Sequence, residues 1–353
     1  MKIRKAILTG GGRATRLRPL TSTTNKHLIN LAGQPMIFHA IRKVVKAGVE
    51  EIYINTNPGD TSLEKIIGDG SKFGVKITFF EQTGGPQGIA HVVKQAERFI
   101  GDEPFIFYLS DNIILNDINS LIDQYEKEGC HCVLALAKVP DPNRFGVPTI
   151  GEDGLIKEVI EKPENPLSDF AVSGIYIYGP KVFFEMFDKI VKSARGEYEI
   201  SDIHSQLIKH GYKVGHSEIT GWWKDTGKPE DLLLANRLLL DEMKDEDFNT
   251  PGKILLGEGV EIKDNVKIIG PAIIGDNTVL ENCEIGPYTV LGKNNFIKDL
   301  DIEDSIIFDT CSLTRKGIKI KSSIIGNNVE MVEDLKKDNC HRILLGDSSF
   351  VEF

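Results

Sequence analysis

A glycine-rich segment near the start of the chain has the composition of an anion-binding loop. Gly10-Gly11-Gly12 follows a short apolar run, and Arg16 and Lys26 come a few residues later. Glycines let backbone N–H groups approach an anion closely, and the two cations supply the charge that a polyphosphate needs. The loop lacks the Gly-Lys-Ser/Thr of a P-loop and the G-x-G-x-x-G of a dinucleotide fold. We interpret it as a nucleotide-phosphate loop; the alternative is an ordinary glycine-rich turn with solvated arginines.

Two carboxylates far apart in sequence could complete a metal site. Asp111 follows the apolar run 105–109, and Asp225 lies in the glycine-bounded turn 221–227. Mg²⁺ prefers one or two carboxylates together with phosphate oxygens and water. Alone, each aspartate is more typical of a turn or helix cap. Together with the loop, they predict bound Mg²⁺.

Two further charged motifs have the residue types that hold a phosphosugar. These are Glu161-Lys162-Pro163 and the segment 193–199, which contains Arg195. Lysine acts as a point charge for phosphate, and carboxylates accept hydrogen bonds from hydroxyls. Each motif alone is also typical of a solvated surface.

The elements that must position these residues alternate along the first 240 residues. This order predicts an α/β domain with a largely parallel sheet, in which ligands bind at the carboxyl ends of the strands. The glycine loop and Asp111 both fall at such ends. The predicted strands are Ala6–Thr9, Glu51–Asn55, Lys76–Phe80, Pro104–Leu109 and Cys132–Ala137, and the predicted helices are Ile37–Ala47, Ile89–Phe99 and Ile118–Lys127.

A different periodicity begins after a polar segment, 241–252, which we interpret as a linker. Aliphatic residues recur every six positions and resume after one five-residue step; they are Leu256, Ile262, Ile268, Ile274, Leu280, Ile285, Leu291 and Ile297. Six is the period of a parallel β-helix with three faces per turn. Ile325-Gly326 and Leu345-Gly346 continue the pattern after an irregular stretch. We predict two domains, 1–245 and 246–353.

Composition excludes several classes of protein. The net charge of −10 over 353 residues argues against a nucleic-acid or membrane partner. The short apolar run at the N-terminus is too short for a signal or membrane span, so we expect a cytoplasmic protein. The five cysteines do not suggest a disulfide framework. Cys130-His131-Cys132 predicts a buried strand rather than a zinc site completed by Cys340-His341.

The motifs together resemble the sugar-1-phosphate nucleotidylyltransferases. Residues 11–21 with Lys26 resemble the signature G-G-x-G-T-R-L-x-P-L-T, and further matches follow in order to about residue 240. The family has glycine at positions 14 and 110, where this chain has Ala14 and Ser110, and many members have glutamine in place of His27. An alanine at position 14 would be strained if the loop needs a positive φ. The last hundred residues resemble the left-handed β-helix of the longer members.

The resemblance implies roles for individual residues. Gly11, Gly12 and Thr15 would line the nucleotide, and Arg16 and Lys26 would hold the triphosphate and the departing pyrophosphate. Asp111 and Asp225 would carry Mg²⁺. Gln82 and Gly88 would face the base. The sugar phosphate would be held by Gly146, Glu161, Lys162, Val172 and Arg195, with Trp223 packing nearby.

The resemblance also implies a Rossmann-like catalytic domain, a cytoplasmic homo-oligomer and a nucleotidyl-transfer reaction. A glucose 1-phosphate oxygen would attack the α-phosphorus of dTTP in line, without a covalent intermediate, with Arg16, Lys26 and Lys162 as the catalytic cations. A UTP-using or dual-specificity enzyme remains an alternative, because one methyl group discriminates weakly. A non-catalytic sensor is the alternative from another class. We expect a structural or oligomeric role for the β-helix, because about five coils are short for an acyltransferase.

Overall fold

The computed structural model describes residues 2–332, and the first 247 of the chain alternate between strands and helices. The helices are α1 (Met36–Lys46), α2 (Ser62–Ile67), α3 (Ile89–Gln95), α4 (Glu97–Ile100), α5 (Asn119–Glu128), α6 (Val182–Phe187), α7 (Ile200–Lys209) and α8 (Pro229–Glu242). The strands are β1 (Lys5–Thr9), β2 (Asn30–Leu31), β3 (Gln34–Pro35), β4 (Glu51–Thr56), β5 (Lys76–Glu81), β6 (Phe105–Tyr108), β7 (Asn112–Ile114), β8 (Cys132–Lys138), β9 (Gly146–Ile150), β10 (Ile156–Glu161), β11 (Phe170–Tyr178), β12 (Val214–Glu218) and β13 (Trp223–Asp225). Single 3-10 turns lie at Thr15–Leu17, Leu20–Ser22, Lys26–Leu28, Ser71–Phe73, Pro142–Arg144 and Asp245–Asp247.

The central sheet has the strand order β12-β8-β11-β6-β1-β4-β5. Every pair is parallel except the two made by β11, which runs antiparallel to β6 and β8. The five predicted strands are confirmed, with bounds that shift by one residue at several ends. The helix predicted over 89–99 is interrupted at Ala96, where α3 gives way to α4.

The sheet interior is apolar and aromatic. Strand β6 is buried along its whole length, which is usual for a strand covered on both faces. Phe105 stacks on Phe184 with ring centroids 5.8 Å apart. His204 is buried beside them, where burial lowers its pKa to about 3, and its Nε2 lies 2.8 Å from the Tyr178 hydroxyl. This histidine is neutral and belongs to the core.

The second part of the chain forms a parallel β-helix. Its strands stack in three parallel ladders of equivalent residues, one ladder per face. They are β14 (Ile254–Leu256), β15 (Glu261–Ile262), β16 (Lys267–Ile268), β17 (Ala272–Ile274), β18 (Val279–Glu281), β19 (Glu284–Ile285), β20 (Thr289–Leu291), β21 (Phe296–Glu303), β22 (Ile306–Ile307), β23 (Ser312–Lys321), β24 (Ile324–Ile325) and β25 (Glu330–Met331). The predicted fold class, a mostly parallel sheet followed by a β-helix, is confirmed.

Each ladder places the repeating aliphatic residues directly above one another. The first ladder pairs Leu256, Ile274, Leu291, Ile307 and Ile325 in register. Hydrogen-bonded neighbours on successive coils lie 18, 17 or 16 residues apart. The stretch that looks irregular in sequence therefore continues the stack, with coils of slightly different length. Ile262, on the first coil, is 50% exposed, because no coil within residues 2–332 stacks outside it.

Asparagine and aspartate turn several corners of the coils. Asn277, Asn294 and Asp299 have φ values of 55°, 56° and 61°, a left-handed conformation that these short polar side chains tolerate. Asn277 donates from Nδ2 to Oδ1 of Asn294 one coil away, at 3.2 Å. Like residues at like corners thus stabilise the stack through side-chain ladders.

By packing, the described chain divides into two units that differ from the predicted domains. The first comprises residues 2–12 and 37–225, and the second comprises 13–36 and 226–332. The predicted linker is partly wrong, since residues 241–242 end α8 and 245–247 form a 3-10 turn. Independent folding of 1–245 and 246–353 stays a prediction. Leu345-Gly346 and Cys340-His341 lie outside the described residues. Among the described helices, none has the length and apolar character of a membrane span.

Candidate active site

Two asparagines at the end of β4 hold the glycine loop in the first unit. The Gly10 N–H donates to Oδ1 of Asn55 at 3.1 Å, and the Gly12 N–H donates to Oδ1 of Asn57 at 2.9 Å. A Cβ on Gly11 would lie 2.7 Å from Nδ2 of Asn55, so the chain must be glycine there. The loop is fixed at the carboxyl edge of the sheet, between β1 and β4.

The segment predicted to face the base begins at the same edge. The Gln82 N–H donates to the Thr56 carbonyl at 2.9 Å, which ties the segment to the end of β4. Gly88 has φ 93°, and a Cβ there would lie 2.5 Å from the Tyr198 carbonyl oxygen. The Tyr198 N–H in turn donates to the Gln87 carbonyl at 2.8 Å. This glycine therefore allows close contact with the segment that carries Arg195.

Strand pairing brings the two predicted metal ligands to neighbouring positions. Strands β7 and β13 are antiparallel, with Asp225 opposite Asn112, the residue next to Asp111. Asn112 Nδ2 donates to the Asp111 carboxylate at 3.0 Å. Within residues 2–332, no group of three or more histidine, cysteine, aspartate or glutamate side chains is arranged to hold a metal ion. A cation bound to these two aspartates would need further oxygen ligands from phosphate and water.

Ser110, in the position of a family glycine, connects the ends of β1 and β6. It is fully buried, and its N–H donates to Thr9 Oγ1 at 2.9 Å. Its hydroxyl donates to the Thr9 carbonyl. The extra hydroxyl is satisfied by the neighbouring strand, so the substitution leaves no buried polar group without a partner.

Asn112 also positions Trp223. The Trp223 indole N–H donates to Oδ1 of Asn112 at 2.9 Å. The Trp223 ring meets Phe145 edge-on, with centroids 5.0 Å apart. The Phe145 carbonyl accepts from the Lys162 N–H at 2.9 Å. These contacts connect the carboxylate pair to the predicted sugar-phosphate residues.

Four of the predicted sugar-phosphate residues, Gly146, Glu161, Lys162 and Val172, lie together at the β9–β10 hairpin. Gly146 pairs with Glu161 in register, and a Cβ on Gly146 would lie 3.4 Å from Glu161 Oε2 and 3.8 Å from Cβ of Val172. Lys162 has φ 47°, which is unusual for a residue with a side chain. Its Nζ lies 3.4 Å from Glu161 Oε1 and is half exposed. The lysine is available to a ligand.

Arg195 is held by a glutamate. Its Nε and Nη2 donate to the Glu199 carboxylate at 3.2 and 2.8 Å, and Ser193 Oγ donates to the same carboxylate at 2.7 Å. Arg195 retains N–H donors for an anion, since a guanidinium has five. Nearby, burial raises the pKa of Asp202, and the charges of Glu199 and Glu161 raise it further.

In the second unit, Arg16 lies on a single 3-10 turn, Thr15–Leu17. Ala14 precedes it with φ 42° and ψ 42°, so the loop does use a left-handed residue at the position where the family has glycine. A Cβ on Gly227 would lie 3.1 Å from Arg16 Nη2, so the guanidinium lies against this glycine. Thr15 and Arg16 are exposed.

Lys26 begins the 3-10 turn Lys26–Leu28 in the same unit. Asn25 caps this turn, and its Oδ1 accepts from the His27 N–H at 3.0 Å. His27 is buried, and its Nδ1 lies 3.1 Å from the same oxygen. His27 therefore serves as a structural partner of the cap.

Five residues support the site that were given no individual role from the sequence. Asn55, Asn57, Asn112, Glu199 and Asp202 contact or electrostatically influence predicted site residues. For Asn55 and Asn57 a signal was present, because polar residues directly after a buried strand lie at the carboxyl edge of a parallel sheet. For Asn112 the strand pairing had to be known.

A mostly parallel sheet with a glycine loop and paired aspartates at its carboxyl edge is the framework of a nucleotide-dependent transferase. A family model described as nucleotidyl transferase matches residues 5–242. The chain belongs to this family. The predicted resemblance to nucleotidyltransferases, and the prediction of an enzyme of this class, are confirmed.

One relative matches over nearly the full chain, and two solved structures match over about two thirds of it. Glucose-1-phosphate thymidylyltransferase of Streptomyces antibioticus is 37% identical over 99% of each chain. A crystal structure of a candidate glucose-1-phosphate thymidylyltransferase from Bacillus anthracis with sucrose has TM-score 0.62 and 37% identity, covering 67% of this chain and 94% of its own. UDP-glucose pyrophosphorylase with UDP-glucose has TM-score 0.60 and 26% identity, covering 68% of this chain and 100% of its own.

Proposed function

We propose that this protein transfers a thymidylyl group from dTTP to glucose 1-phosphate, giving dTDP-glucose and pyrophosphate. The pairing of Asp225 with Asn112, the residue next to Asp111, carries the proposal, because it brings two aspartates from distant parts of the sequence to neighbouring positions, and Mg²⁺ shared with a polyphosphate prefers one or two carboxylate ligands. The full-length similarity to a thymidylyltransferase supports the choice of substrates.

The reaction joins two anions. An oxygen of glucose 1-phosphate forms a bond to the α-phosphorus, the bond to the bridging oxygen of the β-phosphate breaks, and pyrophosphate leaves with that electron pair. The nucleophile is already ionised, so no general base is needed, and holding the two repelling substrates in line supplies the catalysis.

Each predicted residue has a role in this scheme. Lys162 and Arg195 offset the charge of the sugar phosphate, and Arg16 and Lys26 stabilise the charge that grows on pyrophosphate. Gly11, Gly12 and Thr15 bind the nucleotide. Gln82 and Gly88 face the pyrimidine, and Gly146, Glu161, Val172 and Trp223 surround the sugar.

Asp111 and Asp225 would hold Mg²⁺. Their donor set fits the ion, since both are carboxylates, Asp225 lies opposite Asn112 on the paired strand, and Asp111 directly precedes Asn112. When bound, the ion polarises the phosphate oxygens and neutralises part of their charge. The two aspartates would supply its protein ligands, and phosphate and water would supply the rest.

A UTP-using or dual-specificity enzyme is the second candidate. The similarity to UDP-glucose pyrophosphorylase favours it. Thymine and uracil differ by one methyl group, which is worth about 1–3 kcal/mol of discrimination. We therefore expect measurable UTP use beside dTTP.

We propose a cytoplasmic homo-oligomer with small-molecule partners. The four described cysteines, Cys130, Cys132, Cys283 and Cys311, are free and buried, as is usual for proteins of a reducing compartment. Ile262 at the open end of the first coil is an apolar surface that a second copy could cover.

Pyrophosphate release, measured over a matrix of nucleoside triphosphates and sugar 1-phosphates, tests the proposal. The expected best pair is dTTP with glucose 1-phosphate, with dTDP-glucose identified by mass spectrometry. Asp111→Asn protein prepared identically controls for contaminating activity. A best pair with another nucleotide or sugar would redefine the substrates, and no release with any pair would refute the function.

A further inference from the structure

A short hairpin in the second unit packs on the β-helix. Strands β2 and β3 are joined by Ala32 and Gly33, with φ values of 48° and 76°. A Cβ on Gly33 would lie 3.1 Å from Ile273 Cδ1 of the coils. Ala32 packs on the apolar cluster of Leu240, Ile273 and Val290, formed by α8 and the coils. The hairpin tip thus contacts later parts of the chain on one side, while Gly33 stays exposed.

Asn236 connects the hairpin, α8 and the coils through one buried amide. It is 1% exposed, and its Oδ1 accepts from the Ala32 N–H at 2.8 Å. Its Nδ2 lies 3.5 Å from the Tyr288 carbonyl. A buried amide is costly unless it is satisfied, so these bonds select one position of the hairpin.

Helix α8 is in turn anchored to the coils by charge. Arg237 Nη2 lies 2.6 Å from Oδ2 of Asp304, whose side chain is 8% exposed. The Arg237 guanidinium lies over the Tyr288 ring, 5.3 Å from its centroid. The Tyr288 hydroxyl donates to Asp241 at 2.9 Å. The helix is therefore held at several points along its last turns.

The coils also contact the segment before the hairpin. A Cβ on Gly326 would lie 3.6 Å from Leu20 Cδ2. Asn327 Nδ2 lies 3.5 Å from Thr24 Oγ1. The segment 13–36, which carries Arg16 and Lys26, is therefore contacted at both of these places by the C-terminal part of the chain.

We propose that α8 and the coils position the triphosphate-binding segment 13–36, with Asn236 as a positioning residue. This inference rests on the proposed function for the roles of Arg16 and Lys26. Cations already held in place need no reorganisation when charge develops on the leaving group. The β-helix then acts on the nucleotide side of the reaction and leaves the sugar-phosphate side unchanged.

Three full-length variants test it. Asn236→Ala removes the acceptor of the Ala32 N–H, and Ile273→Val removes the methyl nearest Gly33. Ile274→Val is the matched control, because Ile274 is fully buried in the coil core. We measure kcat and both KM values by pyrophosphate release, melting temperature, and hydrogen exchange of peptides covering 26–36.

For Asn236→Ala we expect about tenfold faster exchange over 26–36 and about a tenfold rise in the dTTP KM, with less than twofold change for glucose 1-phosphate. Ile273→Val should show the same split more weakly. Ile274→Val should lower the melting temperature and move neither KM. Unchanged exchange over 26–36, or equal rises in both KM values, would overturn the inference. If the wild type releases no pyrophosphate, the proposed function fails, and hydrogen exchange still decides the positioning.

Discussion

At the scale of single residues, Asp111 and Asp225 are the groups on which the proposed chemistry most depends. Asp111→Asn and Asp225→Asn each remove an anionic metal ligand, so turnover should fall by about a hundredfold or more while the melting temperature stays near that of the wild type. Steady-state rates over a Mg²⁺ series measure this. Asp117→Asn, which loses only a 3.5 Å exposed ion pair with Lys46, is the control. Near-normal rates at saturating Mg²⁺ would exclude that carboxylate as an essential ligand.

Lys162 should act on one substrate only. Its half-exposed ammonium lies beside Glu161 on the β9–β10 hairpin, next to the predicted sugar site. Lys162→Ala should therefore raise the KM for glucose 1-phosphate about tenfold or more and that for dTTP much less. Lys157→Ala, on β10 and paired with Asp153 at 2.6 Å, should change neither. Equal effects on both substrates would show that Lys162 supports the whole cleft.

Ala14 stores backbone strain in the loop. Its φ of 42° costs an alanine about 1–2 kcal/mol, whereas glycine adopts it freely but loses more entropy on folding. Ala14→Gly should raise the free energy of unfolding by about 0.5–1 kcal/mol. Urea titration measures this difference. Ala40→Gly, within helix α1, should lower the same quantity. A lower free energy of unfolding for Ala14→Gly would mean that contacts elsewhere in the loop already relieve the strain at Ala14.

At the scale of elements, the sequence predicts five strands of the central sheet and misses β11 and β12. Strands β1, β4 and β6 each contain at least three consecutive apolar residues, and each was predicted within a residue or two. Strand β11 runs antiparallel between β6 and β8, and nothing local in its sequence specifies that direction. In the coils, a spacing that changes from 18 to 17 to 16 residues conceals the repeat after Ile297, although the ladders continue.

The candidate site also contains residues that the sequence identifies and residues that it does not. Glycines and charged residues can be predicted from residue type and spacing, as Gly88 and Arg195 were. Apart from Glu199, which lies four residues from Arg195, the residues that hold them are neutral amides whose partners lie far away in sequence. Asn57 meets Gly12 across 45 positions, and Trp223 meets Asn112 across 111. Such contacts depend on strand order and register, which one sequence does not provide.

Glu303 makes the coils sensitive to acid. Lys319 and Lys321 lie 2.5 and 2.8 Å from its carboxylate and lower its pKa from 4.5 to about 2. A depressed folded pKa stabilises the fold above the unfolded value, and this stabilisation is lost as pH falls from 4.5 towards 2. Glu303→Gln should lower the melting temperature by about 1–3 °C at pH 7.

The pH dependence separates this effect from simple loss of packing. The difference between Glu303→Gln and wild type should shrink steadily below pH 4.5, measured by thermal melts. Glu258→Gln, on an exposed turn of the first coil, provides the comparison. A difference that stays constant down to pH 3 would show that the lysine pairs contribute nothing measurable.

At the scale of the whole molecule, the chain does not divide where its composition changes. Residues 13–36 pack with residues 226–332. The segment that carries Arg16 and Lys26 therefore belongs to the same unit as the coils. A change of periodicity marks where one kind of local structure ends. The change of periodicity does not reveal that the coils pack with residues 13–36, which lie much earlier in the chain.

Truncation near Asp245 tests the role of the coils directly. A chain of residues 1–245 keeps every predicted site residue, and we expect it to stay soluble. It loses Ile273 and Val290, which cover Leu240 and Ala32, and uncovering Leu240 alone costs about 1.5–3 kcal/mol. We therefore expect a lower melting temperature, and light scattering should show a smaller assembly if copies meet through the coils. The full-length chain under identical conditions is the reference. An unchanged number of chains per assembly together with an unchanged melting temperature would leave the β-helix without a role in either stability or assembly.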